Sequence, residues 1–446
     1  MKKVLIVMLV AIGLYSCNKD DDTVFDQSPD ERLNKKLEEY QAALSGAVNG
    51  WKGIIITDST VAGAYEGVYH FFFRFDNSNR VKMYSDWDST SAVTVKESSY
   101  RLKALQQPSL LFDTYSYIHV LADPDPNVNG GDPNTNTGLY SDFEFYFDSA
   151  TTDSITLIGR FNGSKMILVR ATKQEADAYD NKQLGNAFVF NNINRYLNYF
   201  KRITVGGVVY EIKVNVDTRI ITLSWLNSNG VLQSFSTPYY YSLTGINFAS
   251  PLVNGNQTIS GFTNITWSLP TLTLGFSVNG NATTVVGSGQ PIKVDLNAPR
   301  RWWLFAADQD NYWVSINGFH VNGVDNAYRI DTITSGSNRC VALIYWPNYN
   351  PSGPPYDLFG PLFVMPAGGL TLEYGTAPSN PPTFTADGRA IFVQLGNLGP
   401  YPTTGAAALS RAQLYNANGY YFVQTSPTSY DMVSALNGTT WITWEF

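Results

Sequence analysis

The chain has 446 residues, with 37 acidic and 30 basic side chains and a formal net charge of −7. That balance argues against a nucleic-acid-binding protein, because phosphate recognition depends on clustered lysine and arginine. Two cysteines and three histidines are too few for a disulfide scaffold or a structural zinc cluster. At a prior of roughly 150 residues per domain, the length predicts about three domains.

Residues 1–17 have the features of an export signal that ends in a lipidation site. A cationic start precedes an apolar stretch at 4–15, which is shorter than the ~20 residues of a membrane-spanning helix but typical of a secretory signal. Leu14-Tyr15-Ser16-Cys17 resembles a bacterial lipobox. The sequence therefore predicts a signal peptide at 1–16 and a lipidated Cys17. The alternative is an ordinary signal peptide in which the cysteine is incidental.

Residues 17–29 are predicted to form a lipidated, acidic tether. Palmitate-type acyl chains on the cysteine would hold the protein on a membrane, since each buried methylene contributes about 0.8 kcal/mol. Asn18-Lys19-Asp20-Asp21-Asp22 resembles the surface-export signal of Bacteroidota lipoproteins. This resemblance implies a position on the extracellular side of the outer membrane, with the periplasmic leaflet as the alternative.

Residues 30–172 are predicted to form a helix and a first β domain. Apolar residues at helical spacing indicate a helix over Asp30–Leu44, which begins with cap chemistry at Ser28. From Trp51 the pattern changes to period two, and Asn162-Gly163 marks a tight hairpin. Sequential hairpins with one apolar face most simply close into an up-and-down barrel or a curled meander. The predicted strands are 51–57, 69–75, 80–85, 99–105, 109–119, 141–147, 154–161 and 164–171.

Two further β regions follow. Residues 173–292 are predicted to contain a helical connector, Lys173–Lys201, and a second β domain with glycine-containing turns. Residues 293–446 are predicted to form a third β-rich domain. The predicted fold class is therefore all-β with minor helices, built from barrel-like or meander domains of lipocalin-like or β-sandwich type.

The segment from Asp123 to Asp132 is a candidate calcium loop. Asp123, Asp125, Asn127 and Asp132 place oxygen donors at intervals, as calcium loops do. The glycine comes later than in an EF-hand loop, and no glutamate closes the segment. The alternative is a turn-rich loop whose side chains bond to their own backbone, so no cofactor other than this calcium ion is predicted.

Asp142 and Glu144 are two residues apart on a predicted strand, which would place their carboxyl groups roughly 6–7 Å apart on one face. Paired carboxylates at such separations perform glycoside hydrolysis. The alternative is the solvated face of a half-exposed strand. The three histidines offer no metal spacing, since His70 and His119 are predicted to lie within strands and His320 is isolated.

The third region is rich in aromatic residues that could bind a ligand. Prolines are predicted to hold out the rings of Trp346, Tyr349 and Tyr356 on a stiff loop, and Trp302 and Trp303 lie nearby in sequence. Rings displayed on a stiff loop suit stacking on sugars or anchoring a peptide, since little side-chain entropy is lost. The alternative is a loop that folds back to cap a barrel end.

Several segments together resemble a known family. They are Asn49-Gly50-Trp51-Lys52-Gly53, Ser99–Leu105, Leu111–His119 and Ser141–Phe145. In this order they resemble a family of Bacteroidota lipoproteins known only as a domain of unknown function, over roughly residues 30–330. The resemblance implies a secreted, lipid-anchored β protein, often encoded near TonB-dependent transporter pairs of the starch-utilisation type. It implies no catalytic or binding residue.

These observations favour a non-catalytic accessory that captures a peptide or glycan for TonB-dependent uptake. The motifs of zinc peptidases, α/β-hydrolases and phosphate-binding loops are absent from the sequence, so we predict that the protein is not an enzyme. The expected partners are a membrane, reached through the lipid anchor, a transporter pair, and a peptide or glycan. The alternatives are a structural or adhesin-like surface lipoprotein and a hydrolase that uses Asp142 and Glu144.

Overall fold

The computed structural model describes residues 28–57 and 67–446. Strands account for 46% of the residues and helices for 17%, which confirms the predicted all-β class. The chain divides into two compact units. The first holds the described residues up to Thr57 together with Phe71–Ser85 and Thr94–Asp177. The second holds residues 67–70 together with Asp86–Val93 and Ala178–Phe446.

The helices are short, and no helix among the described residues is both long and apolar enough to cross a lipid bilayer. In that part of the chain the α-helices are α1 Pro29–Ser45, α2 Tyr117–Ala122, α3 Pro126–Asn129, α4 Lys173–Asp180, α5 Ala298–Ala307 and α6 Gly405–Leu414. Two 3₁₀ helices lie at Gln183–Arg195 and Ile330–Thr332.

The first β region is a closed antiparallel barrel. Its strands, among residues 51–57 and 67–170, are β1 Trp51–Ile56, β2 Val68–Phe75, β3 Arg80–Ser85, β4 Lys96–Ala104, β5 Pro108–Phe112, β6 Glu144–Ala150, β7 Ser154–Gly159 and β8 Lys165–Arg170. They pair in sequential order, and β8 closes onto β1 with Trp51 opposite Arg170. Because alternate side chains such as Trp51 and Ile55 are fully buried, one face supplies the core. The predicted up-and-down barrel is confirmed.

Helix α1 begins and packs as its sequence predicts. The Ser28 hydroxyl accepts a hydrogen bond from the Glu31 amide at 3.2 Å, and the Glu31 carboxylate accepts one from the Ser28 amide at 2.8 Å. This reciprocal pair is a capping box. The Tyr40 ring stacks on Phe147 of β6 with 3.8 Å between ring centroids, and Leu44 is fully buried. The apolar stripe of the helix therefore lies against the barrel.

The second β region is one antiparallel sheet, which runs in the order β16-β15-β14-β13-β12-β11-β10-β9-β17. Phe190 of the first 3₁₀ helix is fully buried and contacts the rings of Tyr239, Phe262 and Phe276. The strands are β9 Phe200–Val205, β10 Val208–Asn215, β11 Ile220–Leu226, β12 Leu232–Ser242, β13 Gly245–Asn254, β14 Gln257–Ser268, β15 Thr273–Val278, β16 Asn281–Thr284 and β17 Val286–Ser288.

The third β region is a larger sheet, with the main path β25-β26-β28-β29-β30-β18-β21-β22-β24-β27. Helix α5 packs on it through Trp302, whose ring lies 4.8 Å from Phe422 and 4.9 Å from Tyr345. The strands are β18 Trp313–Ser315, β19 Phe319–Val321, β20 Thr334–Ser335, β21 Asn338–Asn350, β22 Tyr356–Val364, β23 Leu370–Thr371, β24 Gly375–Pro378, β25 Thr383–Phe384, β26 Arg389–Ile391, β27 Gln394–Leu398, β28 Tyr420–Ser426, β29 Ser429–Ser434 and β30 Thr440–Glu445.

Candidate functional site

A cavity of about 530 Å³ lies within the second unit. Residues of β9 to β12, of the segment 291–295 and of β28 to β30 line it. Ligand sites in proteins are concave and typically enclose about 300–1,000 Å³. Its volume and its mixed lining of charged, hydroxyl and aromatic side chains make this cavity the candidate functional site.

Two lysines on neighbouring strands give one wall of the cavity its charge. Lys201 is half-buried near the start of β9, and Lys213 is exposed on β10. Burial and the nearby Lys213 ammonium lower the pKa of Lys201 to about 8. Neither ammonium forms an ion pair or a hydrogen bond with another described residue. The Glu211 carboxylate acts on Lys213 at a distance, whereas no acidic side chain among the described residues is paired with Lys201.

The carboxylates of the cavity are held by other groups. Glu211 accepts a hydrogen bond from the Ile292 amide at 2.8 Å, and burial raises the pKa of its carboxyl group. Asp295 accepts two hydrogen bonds from Arg301, at 2.7 and 3.1 Å. The Arg301 hydrogen bonds lower the pKa of Asp295, so the opposite charges of Asp295 and Arg301 compensate each other.

Asp431 closes the opposite side of the cavity and is held by two hydroxyl groups. Tyr199 donates to one carboxylate oxygen at 2.6 Å, and Thr443 donates to the other at 2.7 Å. Burial and the Asp431 charge raise the pKa of Tyr199 well above its usual value. The Tyr199 hydroxyl therefore remains a hydrogen-bond donor at neutral pH.

His320 lies beside Trp441 at the edge of this cavity and of a smaller one of about 220 Å³. The two rings stack with 3.6 Å between their centroids. The Asp325 carboxylate lies 2.5 Å from His320 Nδ1, and the Gly323 amide donates to His320 Nε2 at 3.1 Å. Both ring nitrogens thus have partners. This arrangement positions the imidazole as part of a wall and does not leave a nitrogen aimed at a substrate as a general base needs.

Three of the four candidate calcium residues bond to the local backbone. Asp123 accepts from the Asp125 amide at 3.0 Å, Asp125 from the Asn127 amide at 2.9 Å, and Asp132 from the Asn134 amide at 2.9 Å. These are the turn-forming bonds of the alternative interpretation, and the Asn127 side chain donates to Asp125 at 2.8 Å. Among the described residues, no group of three His, Cys, Asp or Glu side chains is placed to hold a metal ion. Calcium binding by Asp123, Asp125, Asn127 and Asp132 stays a prediction.

The predicted carboxylate pair does not form, because Asp142 precedes β6 and is only 3% exposed. It accepts hydrogen bonds from the amides of Phe161, Asn162 and Ser164 and from the Ser164 hydroxyl, at 2.7–3.1 Å. These donors satisfy both oxygens, so Asp142 ties together the turn that joins β7 to β8. The predicted strand position of Asp142 beside Glu144 was wrong.

The strand predicted over 109–119 also ends early. Strand β5 ends at Phe112, and His119 lies on α2. Its Nδ1 accepts from the Ser116 amide at 3.1 Å, and its Nε2 lies 3.1 Å from the Phe112 carbonyl. Because the imidazole completes the cap of α2, it has a structural role, and burial lowers its pKa.

The predicted aromatic platform separates into two groups. Trp302 and Trp303 lie on α5 with 0% and 9% of their surface exposed, and the indole of Trp303 donates to buried Asp357 at 2.7 Å. They belong to the core, so their predicted place in a surface site was wrong. Trp346, Tyr349 and Tyr356 lie at the tip of the β21–β22 hairpin, with ring centroids 5.3 and 6.2 Å apart. They do not line the large cavity.

Cys17 lies outside the described residues, so its lipidation stays a prediction. Lys201 and Lys213, in contrast, were missed by sequence reasoning. The strand pattern could have identified Lys201. Lys201 precedes Ile203 by two positions and Val205 by four, and both are buried, so Lys201 occupies a core-facing position of a period-two pattern. A lysine at such a position needs either a partner or a cavity.

Solved structures similar to the chain share little sequence or geometry with it. A penicillin-binding protein homologue from Pyrococcus abyssi is 9% identical, over 32% of this chain and only about a third (33%) of its own, with a TM-score of 0.13. A sliding clamp from Bartonella birtlesii is 8% identical, over 93% and 97% of the two chains, with a TM-score of 0.16. Transferrin binding protein B from Neisseria meningitidis is 10% identical, over 88% and 75%, with a TM-score of 0.12. At these TM-scores the similarity does not define a shared fold.

No curated protein matches the chain. A family model does match residues 21–267, which is more than half of the chain. The match includes the barrel, the 3₁₀ helix and most of the second sheet. The chain belongs to the family described as a domain of unknown function, DUF4302.

Proposed function

We propose that this protein is a non-catalytic binding protein whose ligand occupies the large cavity of the second unit. The observation that carries the proposal is a cavity of about 530 Å³ lined by two lysines without protein partners and by aromatic and hydroxyl side chains. Such a lining can recognise a polar ligand through charge, hydrogen bonds and ring contacts. The ligand class is a peptide or glycan fragment captured from outside the cell.

The proposed location is the extracellular side of the outer membrane. Its support is the order of the N-terminal features, with an apolar stretch, a small residue, Cys17 and an acidic tether. In this setting the protein passes its ligand to a TonB-dependent transporter pair, the partner that the family resemblance implies. A lipid anchor keeps the binding protein close to the importer, which raises the effective ligand concentration there.

Filling the cavity should abolish ligand capture. We expect Ser224→Trp, a substitution on β11 in the cavity lining, to weaken binding about tenfold or more, since a bulky indole displaces a pocket ligand. The measurement is retention of glycans and peptides from defined libraries by the purified mature protein, followed by isothermal titration calorimetry with each retained compound.

Thr266→Trp is the matched control. Thr266 is an exposed residue of β14 in the same sheet and does not line the cavity. Each residue makes one side-chain hydrogen bond to a neighbouring strand, Ser224 to the Ser234 hydroxyl of β12 at 3.1 Å and Thr266 to the Gly275 carbonyl of β15 at 3.4 Å. Equal losses of binding in both variants, or retention of no compound by the wild type, would contradict the proposal.

The anchor is tested separately. We expect Cys17→Ala to remove radiolabelled palmitate from the protein and to move it from the membrane fraction to the soluble fraction, because the thioether is the site of acylation. Cys340→Ala is the control, since Cys340 is only 7% exposed on β21 and its substitution should leave label and fractionation unchanged. A Cys17→Ala protein that fractionates as wild type does would refute the lipid anchor.

A further inference from the structure

We propose that the large cavity binds a carboxylate of an acidic oligosaccharide, a glycan fragment that contains uronic acid, at the ammonium group of Lys201, with Lys213 as a second cation of the lining. This inference rests on the proposed binding function and adds the chemical class of the ligand. Lys201 and Lys213 belong to no sequence motif described above.

Lys201 is a cation of the cavity wall without an ion-paired acidic side chain among the described residues. It is half-buried, and the charged group that acts on it most is another cation, Lys213 of the adjacent strand. The Glu211 carboxylate acts on Lys213 at a distance. Taking a cation out of water beside a second cation raises its free energy. An anion bound at the Lys201 ammonium would recover that free energy, so the site is more stable with an anion bound than without one.

The acidic side chains of the cavity do not fill this role. Glu211 is held by a backbone amide, Asp295 by Arg301, and Asp431 by two hydroxyl groups. Lys293 adds another positive charge and reaches only the Gly230 carbonyl, at 3.3 Å. None of these carboxylates forms an ion pair with Lys201, so its counter-charge would come from the ligand.

A carboxylate suits this site better than a phosphate does. Arginine binds phosphate with two parallel hydrogen bonds, whereas lysine acts as a point charge. The guanidinium of Arg301, which lines the cavity, is already engaged by Asp295 through two hydrogen bonds. The cations left for a ligand are lysines, which match the single charge of a carboxylate.

The lining also offers ring faces and hydrogen-bonding side chains that a sugar can use. Trp441, Tyr196 and the side-chain amide of Gln424 line the cavity, and rings with nearby hydrogen-bonding groups suit the faces and hydroxyls of a sugar.

The test is calorimetric titration of the purified mature protein with a panel of trisaccharides. The panel holds galacturonate, glucuronate and mannuronate trisaccharides and their neutral hexose counterparts, with triglutamate and inorganic phosphate as further probes. We expect at least one uronate trisaccharide to bind, and its neutral counterpart to bind at least about tenfold more weakly, as the loss of a charge-assisted hydrogen bond predicts.

Substitution of the lysines should reproduce that loss. We expect Lys201→Gln to weaken uronate binding by about 10- to 100-fold and Lys213→Gln to weaken it less, because the exposed Lys213 is better screened by solvent. Binding of the neutral sugar should not change in either variant. Lys82→Gln is the control, since Lys82 is an exposed strand lysine of β3 outside the cavity.

The pH dependence provides a second readout. Uronate affinity should be constant between pH 6.5 and 7.5 and should fall above about pH 8, the pKa of Lys201, because the neutral amine attracts no carboxylate. The other charged groups of the lining are Lys213, Lys293, Glu211, Asp295, Arg301, His320 and Asp431. In Lys201→Gln the fall near pH 8 should disappear while the affinity stays low.

The two proposals fail in different ways. If Ser224→Trp abolishes binding of a neutral sugar, of triglutamate or of phosphate, and no uronate binds better, the cavity is a binding site and the uronate inference is overturned. The inference is also overturned if Lys201→Gln binds uronate as tightly as Lys82→Gln does. Uronate binding that survives Ser224→Trp but not Thr266→Trp would place the ligand elsewhere and overturn both proposals.

Discussion

Replacing Asp86 with alanine is expected to lower the free energy of unfolding of the second unit by about 3–5 kcal/mol, the usual cost of leaving one charge of a buried ion pair unpaired. Asp86 is 0% exposed, and its carboxylate accepts a hydrogen bond from the Arg219 guanidinium at 3.0 Å. It also accepts from the backbone amides of His70 at 2.8 Å and Tyr241 at 2.9 Å. Alanine removes all three acceptor contacts at once.

The cost is large because Arg219 is buried, so little water can replace its partner. It is 8% exposed, and its guanidinium lies 5.0 Å from the ring centroids of both Tyr69 and Tyr241. Urea denaturation of the mature protein, followed by circular dichroism, measures the loss. The double variant Asp86→Leu/Arg219→Met should recover part of it, since apolar replacement of both partners removes the unpaired charge.

Asp113→Ala is the matched control for an ion pair near solvent. Asp113 pairs with Arg101 at 2.6 Å, but the Arg101 side chain is 54% exposed. We expect a loss of less than about 1 kcal/mol there, because solvent screens exposed pairs. Equal losses for Asp86→Ala and Asp113→Ala would mean that the buried pair contributes no more than a surface pair.

Acidification is expected to stabilise the second unit through Asp357. Burial raises the pKa of this carboxyl group to about 6, although the hydrogen bonds of Tyr345, Asn348 and Trp303 act to lower it. Its ordinary value is 3.8, so between about pH 4 and 6 the folded state holds a proton that the unfolded state has lost. Stability from this group is therefore full below pH 4 and is lost as pH rises through 6.

The size of this effect follows from the shift. A displacement from 3.8 to about 6 corresponds to about 3 kcal/mol between the two limits, at 1.36 kcal/mol for each pKa unit. The measurement is the free energy of unfolding by urea at pH 4.5, 5.5, 6.5 and 7.5. We expect the wild type to lose stability over this range relative to Asp357→Asn, which cannot ionise.

Asp310→Asn serves as the comparison for this experiment. Asp310 is exposed and has a left-handed backbone with a φ of 48°, which asparagine adopts readily. Its pH profile should run parallel to that of the wild type. A profile of Asp357→Asn that also runs parallel to the wild type would show that the buried carboxylate is ionised in both states.

The local pattern of apolar and turn residues is enough to predict the fold of the first β region. Strands such as β1 and β7 bury alternate side chains, and each strand pairs with its neighbour in sequence, so periodicity and turn residues together predict a sequential barrel. The capping residues of α1 lie within four residues of one another, so the start of this helix is also predictable from the sequence. In both cases the interactions that decide the structure lie close together along the chain.

Prediction failed where partners distant in sequence decide the role of a residue. Trp302 and Trp346 look alike beside prolines and other rings, but packing buries the first completely and leaves the second partly exposed at a hairpin. The residues around Asp142 predict the solvent-exposed face of a strand. In the structure, backbone amides about 20 residues away donate hydrogen bonds to its carboxylate. Composition and periodicity do not predict hydrogen bonds between residues that are far apart in the sequence.

The amino-acid sequence by itself determined the all-β class, the closed barrel and the helix that packs on it, because these follow from alternation, turn chemistry and caps within short windows. It also supports the predicted export signal at residues 1–17. Only the tertiary structure decided which charged residues face a common space. Lys201 and Lys213 line one cavity from adjacent strands, and the 291–295 segment and β28–β30 complete it. The burial and the charged neighbours of a residue depend on chain segments up to 240 residues apart along the chain.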